Sequence, residues 1–150
     1  MNVKQISVVM SNEPGSVLRM AKTLSKNDIY IRALTVADSS TFSTVRIIVD
    51  NVLWASSVLK EAGFTVSLSD VIAVGVPDTP DGLASVLEIL DASGINIDYM
   101  YEIRGNKRHI TTEGTDMQLF VFKVSDNAGA MEAFEAKGVK VFGQGELSAL

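Results

Sequence analysis

The 150-residue sequence contains no cysteine, and that one absence removes disulfides, thiolate metal sites and cysteine nucleophiles together. Histidine occurs once, as His109. An imidazole can act as a base or a pH sensor. With no cysteine, no second histidine and no Gly-x-Ser-x-Gly elbow, no nucleophile and base pair can be assembled around it. The acidic residues are scattered, and no His or Cys pair has ligand spacing. No catalytic residue, metal site or cofactor is therefore expected. Gly143-Gln144-Gly145 follows the last predicted strand with no helix expected behind it, so it reads as a turn and not as a dinucleotide fingerprint. Basic residues are also short: Lys+Arg 13 against Asp+Glu 18 gives a net charge of −5 and a pI near 4.8. Such a chain repels a phosphate backbone, and a nucleic-acid partner is not expected. Long apolar runs are missing too. No window approaches the roughly 20 residues of a membrane span, and the first ten residues alternate polar with apolar and carry Lys4 instead of a signal-peptide core. A reducing cytoplasm is the expected location.

Hydrophobic residues make up 47% of the chain, enough for a substantial core. They recur at a fixed offset. Ile6, Val8, Pro14, Ala21, Leu24, Ile29 and Ile31 match Ile72, Val74, Pro80, Leu87, Leu90, Ile95 and Ile97, each pair 66 positions apart. Asp50-Asn51 matches Asp126-Asn127 at an offset of 76, and Gly63 matches Gly138 at 75. This is duplicated architecture, with an insertion in the second copy placed between Arg104 and Thr115.

Periodicity gives both copies the same order of elements. In the first, Ile6, Val8 and Met10 alternate as a strand. Val17, Leu18, Ala21 and Leu24 then mark a helix over 15–26, with Asn12 or Glu13 near its cap and Pro14 in its first turn. Two β-branched strands, 30–37 and 43–49, a helix over 52–62 ended by Gly63, and a strand over 64–68 complete the unit. The second copy repeats the order through 71–76, 83–93, 96–104, 117–124, 128–137 and 139–142. Strand, helix, strand, strand, helix, strand is the ferredoxin-like split βαβ arrangement, an α+β fold with helices on one face of an antiparallel sheet. The expected repeats are residues 1–69 and 70–150, each marginal alone and so packed against the other.

The strongest local signal is the junction of first strand and first helix, Asn12-Glu13-Pro14-Gly15-Ser16 and Asp78-Thr79-Pro80-Asp81-Gly82. Such a junction aims backbone N–H groups and the positive end of a helix dipole at one spot, which suits a ligand carboxylate. The structural alternative is that Pro and Gly only turn the chain. Asp98-Tyr99-Met100-Tyr101-Glu102 puts Tyr99 and Tyr101 on one strand face, as ligand contacts or as ordinary sheet packing. Residues 104–109, Arg-Gly-Asn-Lys-Arg-His, form a basic cluster that could clamp an anion or simply be a solvated loop. Trp54 falls in the second helix, as core or as an oligomer contact.

Asn-Glu-Pro-Gly-Ser-Val-Leu at 12–18 followed by Asp-Ile-Tyr-Ile at 28–31 resembles the opening of an ACT domain. Asp-Thr-Pro-Asp-Gly-Leu at 78–83 with Gly-Ile-Asn-Ile at 94–97 resembles a second, so that nearly the whole chain is similar to small stand-alone tandem ACT proteins of prokaryotes. The resemblance implies a non-catalytic regulatory module that binds an amino acid where two ACT units meet, commonly side by side in one eight-stranded sheet. It maps the ligand contacts to Asn12 and Gly15 of copy one with Asn96 of copy two. The reciprocal set is Asp78 and Asp81 with Tyr30, in which the Gly and the Asn are both replaced, so the first site is expected to be the better binder. An amino-acid ligand, a regulated enzyme and a homodimer formed through the sheet's edge strands are the expected partners. Two other classes remain open: an interaction subunit of an amino-acid metabolic enzyme or transporter with no ligand of its own, and a small enzyme, since fold alone does not settle function.

Overall fold

The computed structural model describes residues 2–104, 110–112 and 115–150. The basic cluster at 105–109, His109 included, lies outside these residues. The chain divides into two compact units, Lys4–Ser69 and Met1–Val3 with Asp70–Leu150.

The first unit contains β1 (Val3–Ser11, from Lys4 onward), α1 (Ser16–Ser25), β2 (Ile31–Asp38), β3 (Phe42–Val49), α2 (Val52–Glu61) and the start of β4 (Thr65–Pro77). β3 lies between β1 and β2, antiparallel to both, with Ile6 opposite Ile47 and Val8 opposite Val45. This register puts Ile6, Val8, Val45 and Ile47 on one face, because side chains alternate along a strand. They form a core with Met20 and Leu24 of α1 and Ala55 and Leu59 of α2, so both helices cover the same face. The Asn51 side chain accepts the Trp54 N–H at 3.1 Å and caps α2, worth about 1 kcal/mol.

The second unit contains the rest of β4, α3 (Gly82–Ala92), β5 (Ile97–Ile103), β6 (Ile110–Thr112), β7 (Thr115–Val124), α4 (Asn127–Ala136), β8 (Val141–Phe142) and α5 (Gln144–Ser148). β7 pairs antiparallel with β4 and β5. Ile72, Val74, Phe122 and Val124 pack beneath Val86 and Leu90 of α3 and Ala130 and Phe134 of α4. Phe122 and Phe134 meet at a centroid distance of 6.3 Å, tilted by 53°, within the preferred range for aromatic pairs.

Four expectations are corrected. The strands expected at 64–68 and 71–76 are one strand, β4: Ser67-Leu68-Ser69-Asp70 offers neither the glycine nor the proline that would turn the chain. The insertion contains a short strand, β6, paired with the start of β7. The last strand is reduced to Val141 and Phe142. Gly143-Gln144-Gly145 is not a plain turn but opens α5, because Glu146 accepts the Gly143 N–H at 3.2 Å and the Lys140 ammonium at 2.8 Å while Leu147 is buried.

Candidate functional site

The loop from β1 to α1 is built from its own side chains. The Ser11 hydroxyl donates to the Glu13 carboxylate at 2.9 Å and lies 3.4 Å from the Ser16 hydroxyl. The Glu13 amide donates to the Ser11 carbonyl, the Ser16 amide donates to the Glu13 carbonyl, and the Asn12 amide donates to the Thr41 carbonyl at 3.0 Å, which ties the loop to the β2–β3 turn. Gly15 is the N-cap, at φ +88, a left-handed conformation that L side chains enter at a cost. A Cβ there would meet no atom within 4 Å, so backbone conformation and not crowding favours glycine. No side chain caps α1 and no acidic residue lies in its first turn. The amides of Val17 and Leu18 therefore remain as donors at the positive end of the helix.

The expected placing of Pro14 and of the cap is corrected by this geometry. Pro14 stands before the N-cap, not in the first turn, because the left-handed Gly15 reverses the chain between them. Neither Asn12 nor Glu13 caps the helix; the Glu13 carboxylate is taken by Ser11.

The second loop has the same backbone anchorage and a different electrostatic character. The Asp78 amide donates to the Asp116 carbonyl at 2.9 Å and the Gly82 amide to the Thr79 carbonyl at 3.1 Å. The N-cap of α3 is Asp81, in the right-handed region, and its carboxylate accepts the Thr79 hydroxyl at 3.0 Å. That carboxylate stands at the positive end of α3. Gly82 is buried so tightly that any Cβ would overlap the Pro77 carbonyl. Pro80 precedes the cap, as Pro14 does in the first copy.

Asn96 is held just before β5. Its amide donates to the Ser125 hydroxyl at 3.1 Å, its carbonyl accepts the Ser125 amide at 3.0 Å, and its side-chain amide donates to Asp98 at 3.1 Å. Tyr30, before β2, is 70% exposed. Tyr99 and Tyr101 stack with centroids 6.4 Å apart and planes at 19°. Tyr101 is only 8% exposed and pairs with Val121 on the sheet face opposite the helices, where it packs as core.

Arg32 and Ser11 were not legible as polar centres. Arg32, 9% exposed at the β2 bulge, pairs through Nη1 with Asp50 at 3.1 Å, while its buried Nη2 has no hydrogen-bond partner. Ser11 is signalled in the sequence only by its place two residues before Glu13. Among the described residues no cluster of His, Asp and Glu could hold a metal ion, and no helix is long and apolar enough to cross a membrane.

The two βαββαβ units, each with a strand-to-helix loop at the N-terminus of its first helix, form a pair of ferredoxin-like repeats. The chain belongs to the ACT domain pair family, whose model matches residues 1–135. Protein BT0572 from Bacteroides thetaiotaomicron is similar over 100% of this chain and 98% of its own, at 29% identity and a TM-score of 0.87. The regulatory subunit of aspartate kinase from Thermus thermophilus, in its ligand-free form, shares the fold at 18% identity and a TM-score of 0.59, with 90% of each chain covered. That from Thermus flavus does so at 16% and 0.59, covering 91% of this chain and 92% of its own. No curated protein matches the sequence.

Proposed function

We propose that this ACT pair is a non-catalytic regulatory protein that binds a free amino acid, with the ligand carboxylate received at the N-terminus of α1. The observation that carries the reading is the contrast between the two helix starts. Neither helix has a capping side chain or an acid in its first turn, but α1 starts at a left-handed glycine, whereas α3 starts at Asp81, whose carboxylate accepts the Thr79 hydroxyl beside it. An anion gains from the first and is repelled at the second. Asn12 in the β1–α1 loop and Asn96, once its amide leaves Asp98, are the ligand residues that the family resemblance assigns. Glu13, Pro14 and Ser16 shape the loop, and Tyr99, stacked on the buried Tyr101, stands near Asn96 in sequence. Asp78, Asp81 and Gly82 with Tyr30 form the weaker set. The protein acts in the cytoplasm as a homodimer, and ligand binding shifts its contact with an enzyme of amino-acid metabolism by the ligand's differential affinity for two states.

The second reading, an interaction subunit with no ligand, draws on the self-satisfied loop: Ser11 holds Glu13, and Asp98 already holds Asn96. Thermal unfolding in the presence of each of the twenty amino acids separates the two, because a ligand of the folded state alone raises stability. A rise for one or a few, reduced by Asn12→Ala and by Asn96→Ala with non-additive losses in the double variant, supports the ligand reading. No rise for any amino acid transfers the case to the interaction subunit.

A further inference from the structure

The two copies share a core and differ in surface. Residues 4–69 carry seven Lys and Arg against five Asp and Glu, a net charge of +2, whereas residues 70–150 carry six against thirteen, a net of −7. Apolar exposure is divided in the same way. Among the described residues, every exposed large hydrophobic side chain, including Leu18, Leu53 and Trp54, lies in the first unit and none in the second.

Three of these nine exposed apolar residues, Leu18, Leu53 and Trp54, lie on the helices of the first unit, where the charge asymmetry is also found. In the first unit, Arg19 near the start of α1 donates to the Ala62 carbonyl at the end of α2, so the helices run antiparallel, and the later part of α1 lies beside the start of α2. Leu53 and Trp54 in that first turn of α2 are 78% and 50% exposed, and Leu18 is 57% exposed. Lys22, Lys26 and Lys60 belong to the same two helices or their ends, all exposed and forming no ion pair among the described residues, against one exposed acid, Glu61 at the end of α2. The helix layer of the second unit is its electrostatic complement. Glu88 and Asp91 of α3 and Glu132 and Glu135 of α4 are exposed against one cation, Lys137 at the α4 C-cap, and Ala84, Ala92, Ala128 and Ala136 of the same helices are exposed as well.

We propose that the helix layer of the first repeat is a docking surface for the helix layer of the second repeat in another copy of this chain. Leu53 and Trp54 lie across the alanine-lined acidic surface, and the three lysines face its carboxylates. Each chain offers both surfaces, so the contact pairs one copy with another, with charge setting partner choice and the apolar residues supplying affinity. This surface is distinct from the sheet-edge pairing expected from the sequence, and it stands or falls independently of the amino-acid reading.

The test is sedimentation equilibrium of the full chain, with emission of Trp54, the single tryptophan, as a local reporter. Wild type is expected to dimerise, with Trp54 emission shifting to the red on dilution and on raising the salt, because desolvated contacts are lost and exposed charge pairs are screened. Trp54→Ser is expected to raise the dissociation constant by about thirtyfold or more, as for a truncated interface tryptophan. The decisive measurement uses two charge-reversed chains, one with Lys22→Glu, Lys26→Glu and Lys60→Glu, the other with Glu88→Lys, Glu132→Lys and Glu135→Lys. Each alone is expected to be monomeric, and their equimolar mixture to form a dimer, because mixing restores opposite charge across the contact. All six positions are exposed, and circular dichroism of each chain checks that it is folded. A wild-type chain that stays monomeric, reversed chains that still dimerise alone, a mixture that does not associate, or a dimer disrupted by Phe42→Ser on the sheet but not by Trp54→Ser would each overturn the proposal.

Discussion

Gly15→Asp installs in the first loop the residue found at the matching place in the second, and its effects can be worked out separately. The substitution adds a Cβ that meets no atom within 4 Å, so the loop is not crowded. Its cost is conformational: φ is +88, and a left-handed L-residue loses roughly 1–2 kcal/mol, with Asp toward the low end. The carboxylate returns about 0.3–1 kcal/mol by sitting at a helix N-terminus whose first turn holds no acid, the nearby Glu13 carboxylate being bonded to Ser11. The free protein should therefore lose about 1 kcal/mol, or roughly 2–4 °C in Tm. The bound state suffers more. A ligand carboxylate about 4 Å from the new charge is opposed by about 1 kcal/mol at the dielectric of water and about 4 kcal/mol at an effective value of 20, which weakens binding by about fivefold to a thousandfold. A ligand at a hundred times its dissociation constant stabilises wild type by about 2.7 kcal/mol, and the variant at the same concentration by less than about 2 kcal/mol. Gly15→Asn is the control, since it has the same shape and tolerance of positive φ without the charge. Calorimetric titration and thermal unfolding of all three proteins with the best-binding amino acid measure these terms. If Gly15→Asp binds as tightly as Gly15→Asn, the ligand's carboxylate is not at the start of α1 and the proposed site is wrong.

Three further outcomes follow from the same structure. Arg32→Ala is expected to cost about 1–2 kcal/mol in urea denaturation by leaving Asp50 without its cation, whereas Arg32→Met should lie within about 1 kcal/mol of wild type, because it removes a buried Nη2 that has no partner. The Glu146 carboxyl is held below its ordinary pKa, first by the hydrogen bond from Lys140 and then by the Gly143 amide. Its anchoring of α5 is thus fully present above the ordinary glutamate pKa and is lost as pH falls from about 4.3 through the lowered value. The protection factors of the Leu147 and Leu150 amides, corrected for intrinsic exchange, should fall over that interval in wild type and stay level in Glu146→Gln. Asp28 is the one non-glycine residue with positive φ among the described residues, 53°, and Gly94 at the matching position has 67°. Asp28→Gly should therefore raise stability by up to about 1 kcal/mol, or a few degrees in Tm, and any loss would mean that the Asp28 side chain contributes a contact.

The duplicated fold was legible because its signal lies in buried positions. Ile6, Val8 and Leu24 and their partners Ile72, Val74 and Leu90 are all at most 1% exposed, and a close-packed core tolerates little change in such residues. Expectation failed where glycine carries two meanings. Gly15 was read as the first residue of α1 and is its left-handed cap. Gly143 and Gly145 were read as a turn, although Glu146 reaches back to the Gly143 amide and starts a helix. The site was less legible still. Ser11 ends a strand and has no motif of its own, yet its hydroxyl decides where the Glu13 carboxylate points. Arg32 looks like any strand-borne cation, because burial of one guanidinium nitrogen without a partner is a property of the bulge between Ile31 and Ala33. Asn96 was found by family resemblance, but its bond to Asp98 could not be read from spacing.

Comparing the copies also indicates where function should be sought. What the two repeats hold in common is the requirement to fold, and it accounts for the matched strands, helices and turn glycines. The differences fall at surfaces and loop ends: Gly15 against Asp81, Tyr30 against Asn96, Arg32 against Asp98. None of these exchanges is needed by the shared core, and each changes charge or hydrogen-bonding capacity at a place where the backbone is otherwise alike. On the proposed reading the same backbone receives an anion at α1 and repels one at α3. An equal pair of sites would require the carboxylate of Asp81 to be neutralised by something other than Thr79, whose hydroxyl carries no charge. The physical expectation for this duplicated chain is accordingly one ligand loop and one structural loop, and the Gly15→Asp protein, which makes the first resemble the second, tests that division directly.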